Sequence, residues 1–446
     1  MNTLTDNREQ YLGRKIKNNK NNSRHTALVL AALLSFLATV GYAKGNAANQ
    51  NDEKNADSDP SVELTLEVQA ETSSCLKKNE GAINRISLQP GLIYNPSRNV
   101  VIHAEGRHEA TQKLTPNSFN ETRLRHASIT YRSETREAFV GLQQVVWGKA
   151  DRLRILDRIH SFEQSELTLR PLIKLRRPDW MARVLYGYSE TGSVEAVIIP
   201  YARVDNVRRD SRYAPPFPNA LATAGIRKTV SGGFKRTRVG FHVRETVANA
   251  DVSLIASHGP SPEGAQRTEF IPSAGTGVVT EHRPETILGI GFEMPADELV
   301  LRGEGTYSPK RHISLLKPTG LTLSSRHRIN AMVGADWMPD DWFLGAQLAY
   351  SGLDSAPDTL LGEGHQYIGT LTARREFAQR QYALNSFMST DLNQQDLWLE
   401  IEASWFPPNS NLELALGMDL FGGSRNGLFG RYSEESRVFF RTTARW

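Results

Sequence analysis

From about Val62 onward, apolar and polar residues alternate with a period of two. In 397–405, Leu397, Leu399, Ile401, Ala403 and Trp405 alternate with Trp398, Glu400, Glu402 and Ser404. In 412–420, Leu412, Leu414, Leu416, Met418 and Leu420 alternate with Glu413, Ala415, Gly417 and Asp419. The final segment sets Val438, Phe440, Thr442, Ala444 and Trp446 against Phe439, Arg441, Thr443 and Arg445. Successive side chains of a strand point to opposite faces, so each stretch makes a strand with one apolar and one polar face. Mean hydropathy is −0.44, and outside one short leader no run approaches the ~18 apolar residues of a helical span. A polytopic helical membrane protein is thereby excluded.

The connections fall into two kinds. Short ones carry turn chemistry at Asn95-Pro96-Ser97, Ser133-Glu134-Thr135, Glu190-Thr191-Gly192, Pro295-Ala296, Pro339-Asp340 and Pro407-Pro408-Asn409. Longer segments fall near 109–121, 148–179, 204–232, 258–283, 308–324, 352–365 and 421–434. Strands are expected to start near 61, 83, 98, 122, 136, 180, 193, 233, 250, 284, 297, 325, 341, 366, 381, 395, 410 and 437. The fold expected is all-β: a single transmembrane antiparallel β-barrel of about 16–18 strands over 61–446, with short periplasmic turns and long extracellular loops. A soluble β-sandwich or propeller is the alternative, but no blade-length repeat supports it.

The N-terminus explains the charge. The chain has 53 Lys+Arg against 49 Asp+Glu. The whole excess lies before Ala43, in Arg8, Arg14, Lys15, Lys17, Lys20 and Arg24 against Asp6 and Glu9. The remainder is neutral and has no general reason to bind a polyanion, so nucleic acid is not an expected partner. A basic stretch, the apolar run Ala27–Val40 and small residues ending at Ala43 describe a secretory signal peptide over 1–43. Residues 44–60, rich in Asn, Asp and Ala, form a flexible linker in this reading. The single Cys75 excludes an intrachain disulfide and a Cys-rich zinc site.

At 141–157 the chain reads Gly141-Leu142-Gln143-Gln144-Val145-Val146-Trp147-Gly148-Lys149-Ala150-Asp151, then Arg154 and Asp157. It resembles the proteobacterial outer-membrane family known as domain of unknown function 1302, which shows Gly-Arg-Gln, a short apolar run, Trp-Gly and an Asp-containing segment leading to Asn-Pro. Glu195–Arg203 with Asp205, Pro218-Asn219-Ala220-Leu221 before Gly225-Ile226-Arg227, Leu301-Arg302-Gly303-Glu304 and Val333-Gly334-Ala335-Asp336 are similar to its later segments. Leu142 stands where Arg is usual, and His160-Ser161 where Asn-Pro is usual. The resemblance implies an outer-membrane barrel working beside an inner-membrane exporter of the resistance-nodulation type and a periplasmic lipid-handling protein. Resemblance to bacterial outer-membrane barrels at large implies that the terminal strand, with Val438, Phe440 and Trp446, is the signal read by the barrel-assembly machinery.

Beyond Ala43, Arg outnumbers Lys 36 to 11. Arg presents a planar fork that pairs bidentately with carboxylates, and such pairs inside a wide barrel set the field met by a solute. Alternation places Arg302 and Glu304 on the lumen, and Asp336 on the same wall. Leu153, Leu156 and Ile159 recur at near-helical spacing after Trp147-Gly148. A short helix is therefore expected, at one rim or folded into the lumen as a constriction carrying Asp151, Arg154 and Asp157. Ser257-His258 offers no catalytic pair, because strand neighbours point to opposite faces, and Ser325-Arg326-His327 is not read as one. No metal-ligand spacing, cofactor site or enzyme is expected.

The function expected is an outer-membrane channel or export conduit for a lipid-like or amphipathic small molecule, embedded in outer-membrane lipid. The alternatives are a non-conducting structural or assembly barrel that docks periplasmic partners, and an export porin for an acidic polysaccharide.

Overall fold

The computed structural model describes residues 60–446 apart from 79–80, 116–117, 167–169, 171, 209, 215–224, 231–235 and 272–274. The expected signal peptide and linker lie outside the described residues. The first half of the chain forms β1 (Ser61–Cys75), β2 (Ile83–Ser97), β3 (Val100–Gln112), β4 (Phe119–Arg132) and β5 (Arg136–Gln143). A one-turn helix, α1 (Leu172–Leu175), precedes β6 (Asp179–Gly187), β7 (Ser193–Ile199), β8 (Gly225–Val230), β9 (Arg238–Val247) and β10 (Ala250–Pro260). Then come β11 (Ala265–Ile271), β12 (Gly275–His282), β13 (Pro284–Ala296), β14 (Leu299–Lys317) and β15 (Gly320–Trp337). The last are β16 (Trp342–Leu353), β17 (His365–Phe377), β18 (Tyr382–Asp391), β19 (Asp396–Trp405), β20 (Leu412–Gly423) and β21 (Arg437–Arg445).

Eighteen of these strands form one sheet, each antiparallel to its neighbours. β1 closes it on β21, from Glu67↔Arg445 to Cys75↔Arg437. Trp446 extends the closure by exchanging backbone hydrogen bonds with Leu66 at 2.9 and 3.0 Å. Closure leaves no edge strand in this sheet, the condition for a sheet to span a bilayer. The barrel is inverted relative to a soluble fold. Leu416, Val140 and Val333 are 63, 63 and 61% exposed, whereas Arg302 and Asp419 are 7 and 1% exposed. The apolar face of each alternating stretch looks outward to lipid and the polar face lines the lumen.

Each of the eighteen expected starts falls within five residues of a barrel strand. The one near 233 lies outside the described residues, and that strand begins at Arg238. Every second connection is a tight turn, at the rim where β1 begins and β21 ends, and most connections at the other rim are longer. Asn95–Ser97 and Pro295–Ala296, expected as turns, are instead the last residues of β2 and β13. The segment 308–324, expected as a loop, continues β14 and β15 as a hairpin that turns between Lys317 and Gly320, with one irregularity at Ser308/Arg311. There Ile313 and Leu315 pack on Leu353 and Leu360 instead of facing lipid, so the apolar residues of this stretch do not mark a lipid-facing side. Sequence reasoning also missed β8, β11 and β12, which form a separate sheet in two long connections, with β8 parallel to β12.

Several short turns place a non-glycine residue in the left-handed region, among them Ala248 at φ 57° and Asp297 at φ 54°. Ala248 has no side-chain hydrogen bond to offset the ~1 kcal/mol cost of that region. Ala248→Gly is expected to stabilise the barrel by about 1 kcal/mol in urea unfolding from vesicles. An unchanged or lower midpoint would contradict the turn conformation.

Candidate functional site

The connection between β5 and β6, residues 144–178, does not stand outside the barrel. It descends into the lumen as an irregular segment and climbs back to β6. The expected helix around 147–159 is absent, because its apolar residues pack on different walls. Val145, Trp147, Leu156 and Ile159 are buried with Met181, Val197 and Ile255. Ile155 packs with Met332 and Ala349 on another wall. Side chains pulled in divergent directions along an irregular path satisfy a near-helical spacing without a helix.

The wall is shaped to receive this segment. A Cβ at Gly240 would come within 2.5 Å of the Trp147 ring, and one at Gly289 or Gly291 within 2.7 Å of Leu156. These glycines leave the sockets in which Trp147 and Leu156 sit. The Trp147 indole donates to Glu195 at 3.0 Å and lies 5.4 Å from the His242 ring. His160, fully buried, accepts from the Val145 amide at 2.8 Å through Nε2 and meets Asp179 at 2.9 Å through Nδ1.

Deeper in the lumen, the carboxylate of Glu304 accepts three backbone amides. Lys149 and Ala150 donate to Oε1, the latter at 2.9 Å, and Leu156 donates to Oε2 at 3.0 Å. Gly148 lies against the same carboxylate, where a Cβ would stand 3.3 Å from both oxygens. Arg302, two residues along the same face, donates to the Lys149 carbonyl at 2.6 Å, to Asp151 at 2.8 Å and to Asp336 at 2.6 Å. The structure therefore brings Gly148, Asp151, Arg302, Glu304 and Asp336 together in one contact between loop and wall. Arg154 and Asp157 stand apart from it. Arg154 meets Asp205 at 3.2 Å and lies over Phe162, and Asp157 pairs with Arg176. Val438 and Phe440 face outward, 37 and 45% exposed.

Two further features stand outside the residues expected from the sequence. Arg152, with φ 55°, crosses to the far wall, where it meets Glu400 at 2.6 and 3.0 Å and lies 4.2 Å from the Phe387 ring centre. Above that contact an aromatic cluster fills part of the lumen. Phe387, Trp398 and Phe421 from the wall pack with Phe429 and Tyr432 from the β20–β21 connection and with Tyr213. Trp398 and Phe421 occupy lumen-facing positions, and this departure from alternation was the available clue. Beneath lies a cavity of about 990 Å3 that reaches the short turns, lined by Arg152, Glu400, Glu402, Arg441 and Phe387, with Asp340 at the turn.

On the long-loop side, Glu263 stands among Arg158 at 2.5 Å, Arg311 at 2.9 Å, Arg328 at 3.6 Å and Arg154 at 3.7 Å. Burial raises its pKa, but the guanidiniums of Arg158, Arg311, Arg328 and Arg154 outweigh burial and hold the carboxyl well below its ordinary 4.5. A depressed carboxyl contributes stability above its unfolded pKa and loses it only as pH falls through the folded value. Protease sensitivity of the inward loop is therefore expected to stay constant from about pH 7 to about pH 5 and to rise only in stronger acid. A rise already near pH 5 would show that a group other than Glu263 sets the acid release of the loop.

No family model matches the sequence, and no curated protein matches it either. Solved structures do. OccAB1 of Acinetobacter baumannii aligns over 89% of this chain and 99% of its own, at TM-score 0.52 and 8% identity. OccK8 (OprE) of Pseudomonas aeruginosa aligns over 87 and 98%, at TM-score 0.51 and 10% identity. OccD3 (OpdP) of the same species aligns over 88 and 92%, at TM-score 0.50 and 9% identity. At these identities the likeness is one of fold alone, a closed transmembrane β-barrel of the outer-membrane kind.

Proposed function

We propose that the chain is an outer-membrane channel or export conduit whose selectivity resides where the inward loop meets the wall. The observation that carries this reading is the loop itself, held inside the lumen by Glu304, Arg302 and Glu400 beside a cavity of about 990 Å3. A barrel serving only as a scaffold has no need to leave a charged cavity open to its short-turn rim.

The cargo we infer is a lipid-like or amphipathic small molecule, delivered by an inner-membrane resistance-nodulation exporter with a periplasmic lipid-handling protein. The resemblance at 141–157 supports those partners, the terminal aromatic strand supports recognition by the barrel-assembly machinery, and the basic, apolar and small segments of the leader support cleavage of a signal peptide near Ala43. The aromatic cluster around Phe421 favours the second reading, a structural or assembly barrel, because it fills part of the lumen. Passage of an acidic polysaccharide is a third reading, supported by the Arg-rich wall.

Planar-bilayer recording of the purified barrel separates the first two readings. The conduit reading expects discrete conductance steps, and it fails if neither the intact chain nor one lacking 149–178 passes ions. Ion selectivity tests the site. Arg302→Ala leaves Asp151 and Asp336 without their shared cation. Reversal-potential measurements are expected to shift toward cations, and an unchanged reversal potential would remove Arg302 from the conduction path.

A further inference from the structure

The barrel wall is uneven between β4 and β7. β5, β6 and β7 have only 8, 9 and 7 residues. β4 pairs with β5 only from Arg132↔Glu137 to Ala127↔Leu142. Its upper half, Phe119–His126, has no strand partner on that side. The inward loop closes the wall there through side chains rather than a ladder. Arg125 donates to the carbonyls of Ile173 at 3.0 Å, Arg176 at 3.2 Å and Lys174 at 3.5 Å, and Gln144 donates to Arg176 at 2.7 Å.

Two cavities lie back to back beneath this seam. The outer one, about 570 Å3, has a floor of Ala104, Ala127, Gly141 and Ala182 beside Val140 and Trp180. It belongs to the lipid-facing surface, so its occupant is hydrocarbon. The inner one, about 310 Å3, is lined by His103, His126, Ser128, Arg132, Gln143 and Arg183, among others, and by no carboxylate. Arg132 and Arg183 are paired to Glu137 at 3.3 Å and Glu195 at 2.7 Å, neither of which lines the cavity. Gln143 is 2% exposed and its Nε2 has no hydrogen-bond partner. Its amide is a buried donor without an acceptor, a condition costly enough to point to a missing ligand. His103 and Ser128 border both cavities, which are thus one strand's thickness apart.

We infer that the seam above Ala127 and Leu142 binds a single-chain anionic amphipath, its head group in the inner cavity and its hydrocarbon chain in the outer groove. The inner cavity supplies the unpartnered amide donor of Gln143 beside the guanidiniums of Arg132 and Arg183, whose carboxylate partners lie outside its lining. The outer groove supplies an apolar track floored by small residues. The ladder between them is intact up to Ala127↔Leu142, and only above that pair is the wall closed by side-chain hydrogen bonds of Arg125 and Gln144, so a chain crosses over the end of the ladder without breaking backbone pairs. The inference rests on the amphipath-conduit reading and deepens it, by naming the head-group charge and a lateral way into the bilayer.

The test uses the full-length barrel in phosphatidylcholine vesicles with diazirine-bearing palmitic acid, and diazirine-bearing hexadecanol as the uncharged control. After photolysis, adducts are mapped by mass spectrometry. Palmitic acid is expected to label the region of Val140, Gln143 and Trp180 about five-fold more than the lipid-facing wall at Leu371 and Leu416, a ratio equivalent to one hydrogen bond. Hexadecanol is expected to label these regions evenly. Gln143→Leu, which removes the waiting donor, should bring the acid pattern down to that of the alcohol. Ala127→Trp, which fills the groove, should abolish the enrichment while leaving ion conductance unchanged. Equal labelling by acid and alcohol in the unmodified chain, or enrichment that survives Gln143→Leu and Ala127→Trp, overturns the site. Absence of conductance in the unmodified chain would defeat the conduit reading and leave the labelling result standing by itself.

Discussion

Removing residues 149–178 should raise single-channel conductance by roughly an order of magnitude, because a barrel of this strand number leaves a wide aqueous channel when its lumen is empty. The eighteen-strand ladder is complete without this segment, so the shortened chain is expected to insert and to resist denaturation as a barrel. What it loses is the material between opposite walls. Leu156 leaves its glycine socket, and the bridge from Arg152 to Glu400 disappears. The recordings carry a second signature. Glu304, Asp336 and Glu400 are left facing water with Arg302, so the open pore is expected to favour cations. An unchanged conductance in the shortened chain would mean that the loop does not restrict the path.

The second large effect is expected at Glu304. Its carboxylate is the acceptor for the amides of Lys149, Ala150 and Leu156, and Leu156 is 2% exposed. A buried amide without an acceptor costs about 1–3 kcal/mol. Glu304→Ala strips the acceptor from three amides, so the loop is destabilised in its inward position by roughly 2–5 kcal/mol. Glu304→Gln retains a carbonyl acceptor and should lose much less. Limited proteolysis of the barrel in vesicles reads this directly. Cleavage within 149–160 should accelerate strongly for Glu304→Ala and slightly for Glu304→Gln, with the barrel itself intact. Equal resistance in both variants would show that the loop is held elsewhere.

The barrel was legible in the sequence because each spanning strand has lipid on one side and water or charge on the other. That condition imposes alternation residue by residue, as in Leu412–Leu420, and no tertiary accident can hide it. The same rule assigns Arg302, Glu304 and Asp336 to the lumen. It is silent about what they meet there, since the partner amides at Lys149, Ala150 and Leu156 lie about 150 residues away in the chain. The rule also weakens outside the apolar band, where β14 and β15 continue as Ser- and Thr-bearing strands. The loop at 147–159 misled for a different reason. A helix buries one stripe against one surface, and this segment distributes its apolar residues among several.

The unequal strand lengths have a mechanical consequence. Eight residues at ~3.4 Å each and a tilt near 40° rise about 20 Å, less than the ~25 Å apolar band of an outer-membrane barrel. β14, with 19 residues, rises about 50 Å on the same basis. The bilayer meets a low parapet along β5–β7 and a high one along β14–β15. Acyl chains beside the low side must shorten or tilt to keep their contact, at fractions of a kcal/mol per Å. Lipids there start from a compressed state, and a molecule leaving the barrel on that side enters the leaflet where its order is already disturbed.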